Sequence, residues 1–559
     1  MATLICKPHP KERFILLIIS FLSISVFFVK AQGSLLSTKS QSSKGSTDTV
    51  CECLRRLKDY TSKCLFLKSN NSCVSQSFID YLYIFYCILG KWPPLGYSLL
   101  SLWLIVLFYV LGNTASEYFC TSLESLSRVL KLSPAIAGIT LLSLGNGAPD
   151  VFSSLVSFTG TGARSVGLNS VGGGAFFVSC VVVGLISRFM GPHQISINKF
   201  DFVRDICFLL LGVLSLISIV IIGAINIWGA LAFVSMYVFY VIVVYLTYFR
   251  RKMDTEEFGM DPSGELVIPI LPDCEEDVIC IDRDDLEGDC HKEAGCQCFC
   301  LKLLGSFLYI AGLPLYLPRR LTIPVVCEER WSKPYAVASV TLAPVLWAAL
   351  WNSQKGSIGS KAGLVVYIIG GLLGITLGIL AFLITEKASP PKKCIFPWLA
   401  GGFLMSITWS YIIAQELIGL LVSLGYVLGV SPSILGLTVL AWGNSIGDLI
   451  TNCTLAMNGG SDGVQVAISG CYAGPTFNIY VGLGMSLVVS SWRAYPSSVL
   501  IPGDRFLLET LTLLVAGLVW ALVILPKRNM KIDGFLGVGL LAIYLLSISL
   551  SVIQTLRSN

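Results

Sequence analysis

Gly145-Asn146-Gly147-Ala148-Pro149-Asp150 and Gly443-Asn444-Ser445-Ile446-Gly447-Asp448 each set a carboxylate, an amide and helix-disturbing residues inside an apolar run long enough to cross a bilayer. An uncompensated charge at the centre of such a run costs about 3 kcal/mol on insertion scales, so a residue of this kind points to function. The surroundings repeat as well. Residues 133–150 align without gaps on 431–448, with Ser, Pro, Ile, Gly, Thr, Leu, Gly, Asn and Asp identical at nine of eighteen positions. A duplication that disturbs helices at matching places is the sequence mark of a secondary transporter.

The composition agrees. Of 559 residues, 54% are hydrophobic and only 13% charged, which is far too apolar for a soluble domain and describes a polytopic membrane protein whose environment is the lipid bilayer. The net charge of +5 bears on orientation rather than on an acidic partner, and no nucleic-acid signature is present.

At the N-terminus, Lys7, Lys11 and Arg13 precede an apolar run over residues 14–29 and the small-residue site Val29-Lys30-Ala31, the layout of a cleaved secretory signal, with an uncleaved anchor as the alternative. The polar segment that follows holds Cys51, Cys53, Cys64 and Cys73, candidates for disulfides, and Asn70-Asn71-Ser72, a candidate glycosylation site at Asn70. Signal, sequon and an even cysteine count agree on a lumenal or extracellular segment. Residues 78–89 are too short to span and carry Asp80, which places them at the interface.

Apolar runs predict spanning helices at about 97–119, 131–158, 166–190, 205–225, 227–249, 336–353, 363–386, 395–424, 431–457, 465–489, 505–526 and 533–555. The expected organisation is a signal peptide or anchor at 1–31 and a Cys-containing outer segment at 32–96. A first repeat at 97–249 and a cytosolic loop with acidic and Cys-rich parts at 250–335 follow. A helical hairpin and linker at 336–394 lead into the second repeat at 395–559. Because the hairpin crosses the membrane twice, the two five-helix repeats face opposite ways. Basic residues test this independently: Arg128, Lys131, Arg188, Lys199, Arg204, Arg250, Arg251, Lys252, Lys387, Lys392, Lys393, Lys527, Arg528 and Lys531 all fall on one side, which is therefore cytosolic.

Asn146 and Asp150 are four residues apart, as are Asn444 and Asp448, so each helix offers an amide oxygen and a carboxylate on one face. Such oxygens suit sodium, calcium and similar hard cations rather than zinc or copper. Pro149 lacks an N–H and so frees the Gly145 carbonyl, while Gly145 and Gly147 let the backbone deform; Gly447 stands where the first repeat has Pro149. Two aspartates meeting at a midplane site repel, and need a divalent ion, several monovalent ions or protons between them. Alternate neutralisation by those ions is the physical requirement for exchange. In the next helix of each half, Asn169-Ser170-Val171-Gly172-Gly173-Gly174-Ala175-Phe176 loosely matches residues 470–478, Gly470-Cys471-Tyr472-Ala473-Gly474-Pro475-Thr476-Phe477-Asn478. Small residues there permit close packing, and Thr476 and Asn478 are candidates to complete a ligand shell. Ala115-Ser116-Glu117 echoes Ala414-Gln415-Glu416, whose carboxylates serve either transport or a helix end.

These motifs resemble the cation/calcium exchanger branch of the calcium/cation antiporter superfamily, which includes plant cation/calcium exchangers and the mitochondrial sodium/calcium/lithium exchanger. The resemblance implies an all-α membrane protein with the sodium/calcium exchanger fold, two inverted five-helix repeats and a midplane site with alternating access. It makes Asn146, Asp150, Asn444, Ser445, Asp448 and Asn478 the expected cation ligands, with Gly145, Gly147, Pro149, Gly443, Gly447 and Gly474 as supporting backbone or helix-break positions. Other sodium/calcium exchangers tend to have Thr where this chain has Asn146 and Asn444, and Glu where it has Asp150, so the resemblance carries over the positions and not the ion stoichiometry. It further implies no cofactor, only transported calcium, sodium, potassium or protons, and small inorganic cations as partners. The signal-like N-terminus matches the secretory-pathway members (plasma membrane, vacuole or other endomembrane) better than a mitochondrial inner-membrane precursor.

Other readings are weaker. Asp282-Arg283-Asp284-Asp285-Leu286-Glu287 lacks the fifth ligand and sixth-position Gly of an EF-hand, and describes a solvated acidic linker. Cys296-Gln297-Cys298-Phe299-Cys300 with His291 lacks the usual zinc spacing, and palmitoylation is a comparable reading. Two membrane aspartates also suggest an intramembrane aspartyl protease, but proteolysis leaves the duplication unexplained, so the chain reads as a transporter and not an enzyme. A cation channel using the same ligands is the stronger rival, separated from an exchanger by coupled counter-flow.

Overall fold

The computed structural model describes residues 57, 59–69, 77–122, 125, 143–159, 164–193, 195–257, 314–326, 330–355, 360–387, 390–391 and 395–558. The signal-like segment, Asn70, Cys51, Cys53, Cys73 and the acidic and Cys-rich part of the central loop lie outside these residues.

Almost every described element is a helix, as it must be where the backbone has only itself to hydrogen-bond in lipid. Among the described residues, ten helices are long and apolar enough to cross a membrane: Pro93–Cys120, Arg164–His193, Lys199–Ile222, Ile227–Thr247, Lys333–Ser353, Lys361–Ile384, Ile395–Leu428, Pro432–Asn458, Arg505–Lys527 and Gly534–Ser551. Two of the twelve expected spans are not among them. Of 131–158, the described part is the 17-residue helix Ser143–Thr159. The other falls in the helical run formed by Gly460–Phe477, Asn478–Leu483 and Gly484–Ala494, whose Gly470, Gly474, Pro475, Thr476 and Asn478 lower its hydropathy.

Local features recur at corresponding places in the chain. Asn198 caps Lys199–Ile222 by accepting from the N–H groups of Phe200 and Asp201, and Asp504 caps Arg505–Lys527 by accepting from Phe506. A π-helical turn begins at Phe177 in one half, Phe177–Val182, and at Asn478 in the other, Asn478–Leu483. Insertions of this kind cluster at functional sites. At Gly223 a left-handed φ of 73° ends the first of the capped helices and leads into the strand Ala224–Ile225, which pairs antiparallel with Val499–Leu500.

By compactness the chain divides into two units, residues 1–104, 130–264 and 410–559 in one, and 105–129 and 265–409 in the other. The first unit has a continuous apolar core that includes Val171, Phe176, Leu209, Val213, Tyr472, Leu483 and Leu514. In the second unit, Lys333–Lys355 and Lys361–Ile384 form a hairpin sealed by small residues: a Cβ at Gly374 collides with the carbonyl of Thr341, and one at Gly370 comes within 2.9 Å of Ala348. Asn352 donates Nδ2 to the Gly363 carbonyl at 2.9 Å. Gly371 faces open space. Gly374→Ala is therefore expected to lower stability by about 1–3 kcal/mol through overpacking, measured as thermal stability in detergent, while Gly371→Ala leaves it unchanged. Residues 314–322 are helical.

Candidate cation-binding site

Asp150 lies on the helix Ser143–Thr159, which stays helical through Pro149. The proline removes one backbone donor without ending the element. Asp150 is only 3% exposed, and both of its carboxylate oxygens accept from the other half of the chain. Asn444 donates Nδ2 to Oδ1 at 2.9 Å, and Asn478 donates Nδ2 to Oδ2 at 2.8 Å. The Asn444 amide also reaches Ser153 Oγ at 3.3 Å. Asp448, 6% exposed, follows Asn444 by one helical turn on Ala441–Asn458 and lies within electrostatic reach of Asp150.

These helices approach closely because of two glycines. A Cβ at Gly147 collides with Asn478 Oδ1, and one at Gly174 sits 3.3 Å from Ser445 Oγ and 3.6 Å from Asp150 Oδ2. Gly172 and Gly173 instead serve packing, against Leu507 and against the Leu437 carbonyl. Gly447 and Gly474 meet nothing within 4 Å. Gly147→Ala is expected to displace the Asn478 amide and raise the cation concentration for half-maximal transport about tenfold, the worth of one hydrogen bond to a charge, with Gly474→Ala as the control that leaves it unchanged.

The acceptors left over define the chemistry. Asn444 Oδ1, Asn478 Oδ1 and Ser445 Oγ are buried with no hydrogen-bond partner among the described residues. Each such atom costs about 1–3 kcal/mol, so three around a carboxylate pair mark a place built for a ligand. No group of three or more His, Cys, Asp or Glu comes together among the described residues. Two carboxylates with amide and hydroxyl oxygens form a hard donor set suited to calcium, sodium or potassium as transported substrate.

Of the expected residues, the structure brings Asp150, Asn444, Ser445, Asp448 and Asn478 together, and Asn146 lies one turn ahead of Asp150 on its helix. Gly145, Gly147 and Pro149 share that helix, Gly443 and Gly447 the Asp448 helix, and Gly474 the Asn478 run. Thr476 uses its hydroxyl on the Tyr472 carbonyl of its own helix, at 2.7 Å. Ser153 and Gly174 join the site unexpectedly; Ser153 follows Asp150 by three residues, a helical-face signal present in the sequence.

The two echoing glutamates bind accessory segments. Glu117 accepts from Arg330 at 2.8 Å and from Asn113, while Glu416 accepts from Tyr81 Oη at 2.8 Å and from the Phe78 N–H. Cys64 pairs with Cys87, a residue outside the group of four candidates because it sits within the apolar stretch 78–89.

The family description "sodium/calcium exchanger protein" matches residues 100–246 and 398–553. The chain belongs to the sodium/calcium exchanger family and is a multi-pass, mostly helical membrane protein. It is 51% identical over 558 residues to cation/calcium exchanger 2 of Arabidopsis thaliana, covering 97% of this chain and 96% of that protein. It is 31% identical over 568 residues to the mitochondrial sodium/calcium exchanger protein of Rattus norvegicus, covering 94% of each. A crystal structure of the H+/Ca2+ exchanger CAX aligns over 94% of this chain and 88% of that one, with 12% identity and a TM-score of 0.34.

Proposed function

We propose that the protein is a secondary active antiporter that exchanges calcium, or another cation, for sodium, potassium or protons by alternating access at the Asp150–Asp448 site. The observation that carries this reading is the bracketing of Asp150 by Asn444 and Asn478, each of which keeps its amide oxygen unpartnered. A terminal amide turned half a turn about χ2 exchanges donor for acceptor at little cost. With the donors inward, Asp150 is stabilised without a cation; with the oxygens inward, they join the carboxylates around one. The Asp150 carboxylate is thus partnered both loaded and unloaded, which an alternating-access carrier requires and a permanently occupied structural site does not.

The names of the relatives support calcium as one substrate. The Cys64–Cys87 disulfide supports a segment facing an oxidising compartment, and with it a membrane of the secretory system rather than the mitochondrial inner membrane. The test is radioactive calcium uptake into proteoliposomes at clamped membrane potential, with outward sodium, potassium or proton gradients imposed in turn. Uptake driven by one gradient is expected and names the counter-ion. Calcium flux indifferent to every gradient makes the protein a channel, and monovalent exchange without calcium flux changes the substrate.

A further inference from the structure

Glu416 has no part in the cation site, yet it is a carboxylate only 8% exposed within a spanning helix. Its oxygens accept the Phe78 N–H and the Tyr81 hydroxyl, and Trp103 Nε1 donates onward to Tyr81 Oη at 3.1 Å. Burial, then the Glu416 charge, hold the Tyr81 phenol well above its ordinary range, so it stays a donor.

The described residues 60–69 and 77–92 are joined as a strap around this contact. Cys64–Cys87 joins the helix Tyr60–Ser69 to the turn Ile84–Ile88. Phe85 and Tyr86 are buried in an aromatic cluster with Tyr60 and Tyr97, and a Cβ at Gly96 comes within 2.8 Å of Phe85. Further along the Glu416 helix, Tyr411 Oη lies 3.4 Å from Thr159 Oγ1. Thr159 is the last residue of the helix that carries Asp150, and the five residues from Tyr411 to Glu416 span about 7.5 Å of helix axis. The helix Ile395–Leu428 therefore carries both the strap contact, at Glu416, and the contact with the end of the site helix, at Tyr411.

Glu117 occupies the matching place in the other repeat, and there too the carboxylate fastens a segment from outside the repeats, through Arg330.

We propose that Glu416 is a positioning residue that latches a disulfide-bonded strap, residues 60–69 and 77–92, to the exchanger repeat and thereby sets the balance between the two access states of the cation site. This rests on the antiport reading above. Two charge-assisted hydrogen bonds made in one state and lost in the other shift the populations of both. Apparent affinity on each side of the membrane scales with the fraction of protein facing that side, so breaking the latch moves the two affinities in opposite directions.

The experiment uses the full chain reconstituted in vesicles of defined orientation, with Glu416→Ala, Glu416→Gln and Tyr81→Phe. The last keeps the ring and its packing. Calcium half-saturation is measured from the strap side and from the opposite side. Glu416→Ala and Tyr81→Phe are expected to shift the two values oppositely by about threefold or more, with Glu416→Gln, which keeps an acceptor oxygen, nearer to wild type. A purely structural role would lower both activities together, and parallel or absent shifts overturn the proposal. A second readout does not depend on flux: spin labels on exposed Tyr83 and Leu428 are expected to give a distance distribution whose unlatched share is larger in Tyr81→Phe than in the wild type. An unchanged distribution also overturns the latch. Absence of gradient-driven exchange in the wild type, by contrast, refutes the antiport reading alone.

Discussion

Replacing Asp150 with asparagine is expected to abolish cation exchange while leaving the protein folded and in its membrane. Both oxygens of Asp150 accept amide protons, from Asn444 at 2.9 Å and from Asn478 at 2.8 Å. An amide in its place offers one oxygen and one NH2, so one of the two bracketing amides must turn its oxygen inward. The lost charge is the larger effect. A unit charge 4 Å from a monovalent cation is worth about 4 kcal/mol at an effective dielectric near 20, or about a thousandfold in occupancy. Folding should not suffer, because a neutral side chain removes a buried charge from a spanning helix. The check is gradient-driven uptake in purified, reconstituted variant, normalised to protein recovered as a single species. Uptake within tenfold of wild type would remove Asp150 from the site.

Much of this site is legible in the sequence because membrane burial makes polar residues conspicuous. Asp150, Asp448 and Asn444 stand out in apolar runs, and the duplication pairs the two aspartates. Asn478 emerges from comparing the halves, since Phe177 occupies its counterpart position. Both residues open a π-helical turn, so the backbone repeats where the side chains have diverged. Ser153 and Gly174 are harder to find. A serine in a spanning helix usually bonds to its own backbone, as Ser157 does to the Ser153 carbonyl. A glycine among three consecutive glycines carries no label saying which one faces the ligand and which two face neighbouring helices.

The fold shows the same division. Helix positions follow from apolar runs, but a helix lined by Gly470, Gly474, Pro475 and Asn478 is more polar than its neighbours because it builds the site. Cysteine spacing carries no pairing information, and Cys87 hides in an apolar stretch, so the Cys64–Cys87 bond is invisible before folding. The partners of Glu416 are likewise illegible: Tyr81 lies 335 residues away in the chain, and nothing local marks the pair.

The second large effect separates the two aspartates. Asp448→Asn is expected to remove divalent transport while sparing part of monovalent exchange, a selectivity change rather than a uniform loss. Asp150 holds the amide bracket together, whereas Asp448 lies one turn beyond Asn444 on the helix that also supplies Ser445 and takes no part in the bracket's hydrogen bonds, so its neutralisation leaves the bracket standing. What changes is the charge that the cation must balance, from two to one. At 4 Å and an effective dielectric near 20, losing one carboxylate costs a monovalent ion about 4 kcal/mol and a divalent ion about 8 kcal/mol. The difference of about 4 kcal/mol is about a thousandfold in relative preference. Part of the monovalent loss is offset, because a single sodium or potassium ion now suffices to neutralise the site. The measurement is radioactive calcium uptake beside radioactive sodium self-exchange in the same proteoliposomes. Calcium uptake falling at least a hundredfold further than sodium exchange assigns Asp448 to charge balance; equal loss of both would instead make it a second structural bracket, and the two-carboxylate account of the exchange would fail.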